Sequence, residues 1–287
     1  MISLSFVRVL SLAAVVLPFA YAQNNTALDI EAIKAHFANA GIVPSLLTSF
    51  DPEALVTLNY PGFETVAPGQ ALTKDQVAPT PGVQVTPANS SVTLNGKYTL
   101  AMVDAGPVGT DESQGQTRHW LVNGVSLTGS NPSTVAEDGT VITKYAGPAP
   151  PAGSGPHRYV VLLYTQPDSF KAPDDLSAPN TPVSVFNFPD YVKNTGLGPL
   201  VGGTYITVEE GTASSSLSST APVVTSTLPA ATSTSSGSGS GSATASGSNT
   251  AAPSTTGGSQ SNAGSKTSKV VSVNVLLVAF AAGFFLG

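Results

Sequence analysis

Asp104, His119, His157 and Tyr159 are the side chains of this sequence whose types and placement can do chemistry together. Only three histidines occur in the chain, and two of them, His119 and His157, stand at the starts of apolar stretches, each after a loop. Asp104 closes another such stretch, after Val103. In an antiparallel sheet the start of one strand lies beside the end of its neighbour, so the three can converge on one rim. Tyr159, two residues beyond His157, points to the same face. Imidazole N–H groups and a phenol donate hydrogen bonds, which suits an oxygen of a phosphate or carboxylate. The loop over residues 147–156, GPAPPAGSGP, is stiffened by proline and glycine and offers backbone N–H groups that also welcome an anion. The spacing alone is equally compatible with a blander arrangement, in which one histidine is buried and satisfied, the other is exposed, and Asp104 closes an ordinary turn.

Other chemistries fit less well. Two histidines and a carboxylate can hold a metal, but no compact spacing such as H-E-x-x-H occurs. A nucleophilic serine would want a G-x-S-x-G elbow, and none is found; Gly153-Ser154-Gly155 lies within the loop just described. Cysteine is absent, which removes thiol chemistry, disulfides and Cys-ligated metals. The expectation is a protein that is not an enzyme and needs no cofactor or metal.

Strands must position these residues. Ala54–Tyr60 alternates like a half-buried strand and stops at Pro61-Gly62. Gln84–Thr86, Ser91–Leu94 and Tyr98–Val103 read as further strands, with Asn95-Gly96 signalling a hairpin between the last two. His119–Asn123, Val141–Tyr145 and Gly203–Val208 follow. Arg158–Thr165 is continuously apolar, as expected of a strand covered on both faces. A helix is expected from Thr26 to a stop at Gly41, with His36 on its surface. A second is expected after Asn187 as N-cap, with Gly196 as its stop. The class is mostly β and antiparallel, with short helices at the ends.

Composition divides the chain into four parts. Residues 1–22 read as a signal peptide: Arg8, an apolar run from Val9 to Phe19, and Ala20-Tyr21-Ala22 before the cut. Residues 23–210 make the folded domain. Residues 211–265 are Ser, Thr, Gly and Ala with no apolar face to bury, and read as a disordered, O-glycosylated stalk. Residues 266–287 end in an apolar tail preceded by small residues, the layout of a GPI-attachment signal with Asn262 as the expected attachment residue and Ser261 and Gly264 as the neighbouring alternatives. A plain C-terminal membrane helix is the alternative there, marginal in length and lacking a basic flank. The protein is therefore expected to be secreted and held at the cell surface through a lipid anchor on the plasma membrane or wall. Sequons at Asn24 and Asn89 are expected glycosylation sites. All seventeen acidic and eight of the eleven basic residues fall within 23–210, so the domain carries net −9 and nucleic acid is excluded as a partner.

Three segments carry a resemblance. Tyr98–Asp104, Arg118–Asn123 (RHWLVN) and Gly147–Tyr159 (GPAPPAGSGPHRY) resemble, in order, the Asp-Pro-Asp-x-Pro, His-Trp/Phe-Leu-Val and Gly-x-x-Pro-Pro-x-Gly-x-Gly-x-His-Arg-Tyr motifs of the phosphatidylethanolamine-binding protein (PEBP) family. The likeness covers about residues 51–209. It implies a large antiparallel sheet packed on a smaller one, with short peripheral helices and a small anion pocket. It carries the pocket over to Asp104, His119, His157 and Tyr159, with Pro148 and Pro150 on its wall. Phospholipid headgroups or small anions are the implied ligands, and inhibition of a serine carboxypeptidase or another protease is the alternative function. A structural wall protein is a further option. One motif departs: Asp104-Ala105-Gly106-Pro107 has Gly106 where the family carries a second acid, and the Ser-Arg that follows in the family is missing. That departure bears on headgroup preference more than on fold.

Overall fold

The computed structural model describes residues 26–63, 65–213, 223, 224 and 228. The chain divides into units 1–234 and 235–287, and every described residue belongs to the first. The signal peptide, the sequon at Asn24, nearly all of the stalk, Asn262 and the apolar tail lie outside the described residues.

Helix α1 (Thr26–Asn39) forms because Ile30, Ile33 and Phe37 recur on one face and are buried there. It stops at Gly41, which takes the left-handed φ of 63°, and the turn α2 (Ile42–Ser45) follows. Phe37 stacks on Phe50 of the loop before β1 with centroids 3.9 Å apart and meets Tyr205 of β10 edge-on at 5.8 Å, which pins the helix to the sheet beneath. The strands are β1 (Ala54–Asn59), β2 (Gln70–Leu72), β3 (Gly82–Pro87), β4 (Lys97–Asp104), β5 (Gln116–Thr128), β6 (Ser133–Ala136), β7 (Thr140–Thr143), β8 (His157–Gln166), β9 (Ser184–Phe186) and β10 (Leu200–Val208). Helix α3 (Phe188–Thr195) precedes β10. Asn187 caps it by accepting from the Asp190 N–H at 2.9 Å, and Gly196 ends it at φ 75°.

The fold is mostly β and curled. A large sheet runs β5-β4-β8-β10-β2, with β7 and β9 also paired to β5; a small one runs β1-β3-β6. The long strand β5 belongs to both, because Ser126–Thr128 at its far end pairs β6. The large sheet is mixed rather than purely antiparallel, since β2 lies parallel to β10. Two cores result. Leu100, Met102, Trp120, Tyr159, Val161 and Leu163 face the small sheet. Ala101, Val103, Leu121, Val160, Leu162 and Tyr164 face α1 and α3. Strand β8 is thus covered on both sides, with Val160 to Leu163 all fully buried, which is why its sequence shows no polar alternation.

The Asn95-Gly96 hairpin does not form, and Ser91–Leu94 is not a strand. A two-residue turn of that kind needs positive φ at both central residues, and only Gly96 has it, at 113°. The reason is tertiary: β4 already has β5 on one edge and β8 on the other, while β3 lies between β1 and β6. No edge is left for the strand that the local signal predicted. Among the described residues no helix is long and apolar enough to cross a membrane.

Candidate functional site

Asp104 is the last residue of β4 and pairs directly opposite Tyr159 on β8, so the two side chains share a face. His157 opens β8 two residues earlier and joins them. Its Nδ1 lies 3.0 and 2.9 Å from the two Asp104 carboxylate oxygens. Its Nε2 lies 2.9 Å from Ser154 Oγ, while that hydroxyl also lies 2.6 Å from the Pro151 carbonyl. The serine proton therefore has a carbonyl to go to, and the loop is latched onto the imidazole. Nucleophilic catalysis needs the opposite arrangement, with the proton aimed at the ring nitrogen.

His119 is not at the start of its strand. It is the fourth residue of β5, and simple alternation would turn it away from Trp120, to the α1/α3 side. The pairing changes register here: Trp120 faces Met102 and Arg118 faces Val103, leaving His119 as an extra, bulged residue. A bulge re-aims side chains. It swings His119 onto the Tyr159 side, edge-on to that ring at 5.1 Å, and sends Arg118 to the other face. There Arg118 bonds Thr143, Pro182 and Ser184 and lies over the Phe186 ring. His119 Nδ1 donates to the Ala146 carbonyl at 2.9 Å, so Nε2 is the nitrogen left for the hollow.

The predicted quartet is thus brought together: His157 and Asp104 as an ion-pair-distance couple, His119 and Tyr159 as the deeper pair. Pro148 and Pro150 are both buried, on the loop between Ala146 and Ser154. Tyr159 is fully buried, and its hydroxyl has no hydrogen-bond partner. The Asp104 carboxylate and the Ala149 N–H approach it, but neither reaches hydrogen-bond geometry; burial and then the Asp104 charge push the phenol's pKa well up, so it stays a donor. A cleft of about 450 Å³ lies elsewhere, between α3 and residues 171–176.

Several residues that hold the site are not assigned to it by the sequence reading. Arg158, 1% exposed, gathers the carbonyls of Ala40, Ala105, Gly106 and Pro107 and reaches Glu112 Oε1 at 3.2 Å. It thereby fixes the loop that follows Asp104. Glu112 supplies beside that loop the acid that position 106 lacks, though burial pushes its carboxyl up against the pull of Gln116 and Arg158. Its separation from the motif hides it; only its being the lone glutamate between Pro107 and Arg118 could have pointed to it. Below the hollow, Tyr145 donates to the Val77 carbonyl at 2.6 Å, and its hydroxyl meets that of Tyr60 at 2.9 Å. At the rim, Gly153 N–H donates to the Glu210 carbonyl at 2.8 Å, so the chain leaving β10 lies against the loop that carries Ser154. Asn89 is exposed in a turn. No cluster of three or more His, Cys, Asp or Glu side chains among the described residues could hold a metal ion.

The family model described as phosphatidylethanolamine-binding protein matches residues 63–206. A 26 kDa secreted antigen of Toxocara canis is 35% identical over 138 residues, 48% of each chain, so this chain spans about half the length of that relative. The carboxypeptidase Y inhibitor of Saccharomyces cerevisiae is 31% identical over an alignment covering 54% of this chain and 85% of the inhibitor. In three dimensions the chain is similar to the crystal structure of carboxypeptidase Y inhibitor complexed with its cognate proteinase. That match has a TM-score of 0.51 at 24% identity and covers 68% of this chain and 100% of that one, which supports the shared fold.

Proposed function

The chain belongs to the phosphatidylethanolamine-binding protein family, and on that premise we propose that it is a binding module that takes a small anion or phospholipid headgroup between His119, His157, Asp104 and Tyr159. The observation that carries this reading is the buried Tyr159 hydroxyl, a donor with no partner. A buried polar group without a hydrogen bond is costly, and a ligand oxygen removes the cost. With Nδ1 of His119 held by Ala146, Nε2 accepts in the neutral ring. A monoprotonated phosphate, with both P–OH and P–O groups, satisfies His119 and Tyr159 together. The test is titration calorimetry of the full chain with inorganic phosphate and with phosphoethanolamine. Tyr159→Phe is expected to weaken both about tenfold or more, the value of one hydrogen bond to a charged group. Unchanged affinity in that variant would overturn the reading.

A second reading, inhibition of a serine carboxypeptidase, is favoured by the 31% identity to the carboxypeptidase Y inhibitor. An inhibition assay against carboxypeptidase Y separates the two: inhibition that survives Tyr159→Phe belongs to a contact surface, not to the hollow. In either case the domain is exported by residues 1–22, glycosylated at Asn24 and Asn89, and carried on the stalk by an anchor at Asn262. Release of the protein from cells by a phosphatidylinositol-specific phospholipase tests the anchor.

A further inference from the structure

Strand β5 loses register with β4 a second time. Thr99 faces Asn123 but Tyr98 faces Val125, which leaves Gly124 as the extra residue, in the left-handed region at φ 82°. The first bulge re-aims His119 into the hollow; this one sits at the other end of the strand and fixes Asn123 on the opposite face, beneath α3. We infer that it builds a second ligand site, one that takes a single pyranose ring or a polyol of similar size.

Asn123 is 5% exposed. Its Oδ1 lies 2.9 Å from the Tyr191 hydroxyl and 3.1 Å from Thr99 Oγ1. Its Nδ2 has no partner. Turning the amide over does not help, because both neighbours are hydroxyls: an orphan donor is merely exchanged for an orphan acceptor. Gln166 is half-buried beside it; its Oε1 lies 2.7 Å from Thr99 Oγ1 and accepts the Gly124 N–H at 2.7 Å. Both amides line a cavity of about 320 Å³ whose other walls include Lys97, Asp138, Thr140 and Phe170. That volume is at the small end of ligand pockets, room for one ring.

The lining selects the ligand class. An apolar guest would leave the Asn123 amide stranded. A phosphate would meet Asp138, which the Ser126 hydroxyl and Lys97 hold ionised down to about pH 2, and the one nearby cation, Lys97, is already paired to that carboxylate at 3.2 Å. A sugar hydroxyl both donates and accepts, so it satisfies Asn123 in either amide orientation. Two carboxamides and an ionised carboxylate around a ring are acceptors and donors for such hydroxyls, and Phe170 offers an apolar surface to the C–H face of a pyranose.

Saturation-transfer NMR and calorimetry on the full chain, with glucose, mannose, galactose and N-acetylglucosamine as probes, test this. At least one is expected to bind saturably with Kd of about 1–10 mM. Asn123→Asp keeps the acceptor oxygen and removes the donor, and is expected to weaken binding about tenfold. Thr140→Tyr, at an exposed rim position that touches none of the buried bonds, is expected to block the cavity and abolish binding even if the first variant folds poorly. Phosphate affinity stays unchanged in the Thr140 variant, and His157→Ala leaves sugar binding intact; these arms keep the two sites separable. No saturable binding by any of the four sugars, or binding indifferent to both variants, overturns the inference and leaves the cavity to water.

Discussion

On the proposed function, the Tyr159 hydroxyl is a burden to the empty protein and an asset to the loaded one. Removing it without changing the ring relieves a buried, unpartnered group. Tyr159→Phe is therefore expected to stabilise the ligand-free protein by about 1 kcal/mol in urea denaturation while it weakens phosphate binding. The opposite sign, a loss of stability, would mean that the hydroxyl already has a partner. Gly106 makes a second case. It sits at φ 62°, and a Cβ built on it would collide with Thr110 Oγ1 and Cβ. Restoring the family's acid by Gly106→Asp is therefore expected to cost about 2 kcal/mol rather than repair the loop. Arg158→Lys is expected to cost more, about 3 kcal/mol, because one ammonium cannot reach the separate carbonyls that the guanidinium gathers. The grouping of the quartet was legible through the resemblance of the three motifs; spacing alone left it open and put His119 at a strand start that it does not occupy. Ser154's latch, Glu112 and Arg158's carbonyl cage were not legible, because each depends on loops that meet only after folding.

At the scale of elements, strand β5 decides where chemistry sits. Its apolar character was visible in RHWLVN, but its two bulges were not, because a bulge is a property of the pairing partner as much as of the strand. By alternation alone His119 faces away from Trp120. The register change between Arg118 and Trp120 places it against Tyr159. The uninterrupted apolar run of β8 was read correctly as doubly covered, because only a strand with cores on both faces can dispense with polar alternation. The Asn95-Gly96 signal misled for the converse reason: local turn chemistry yields when both neighbouring edges are already taken. Leu163→Ala on β8, in the core facing the small sheet, is expected to cost about 3 kcal/mol, measured by urea denaturation, with little change in the phosphate affinity of the molecules that remain folded.

For the whole molecule, the tyrosines set the alkaline limit. Burial lifts Tyr60, Tyr191 and Tyr205 each to about 12, and pushes Tyr145, Tyr159 and Tyr164 higher still. An unfolded tyrosine ionises near pH 10, so above that the unfolded chain holds fewer protons than the folded one. Stability contributed by these phenols is fully present below about pH 10 and is lost as the pH climbs toward 12. Tyrosinate absorbance is expected to rise in a single cooperative step that coincides with loss of the circular-dichroism signal. Independent, gradual titration of these six tyrosines would show that their burial does not hold.

The stitch between Gly153 and Glu210 has a mechanical corollary. A pull on the polypeptide downstream of residue 213 loads this bond, and with it the loop that carries Ser154. On the proposed reading, such traction loosens the grip on the anion. A chain cut after Val208 is expected to release phosphate faster than the intact protein, as stopped-flow kinetics would record.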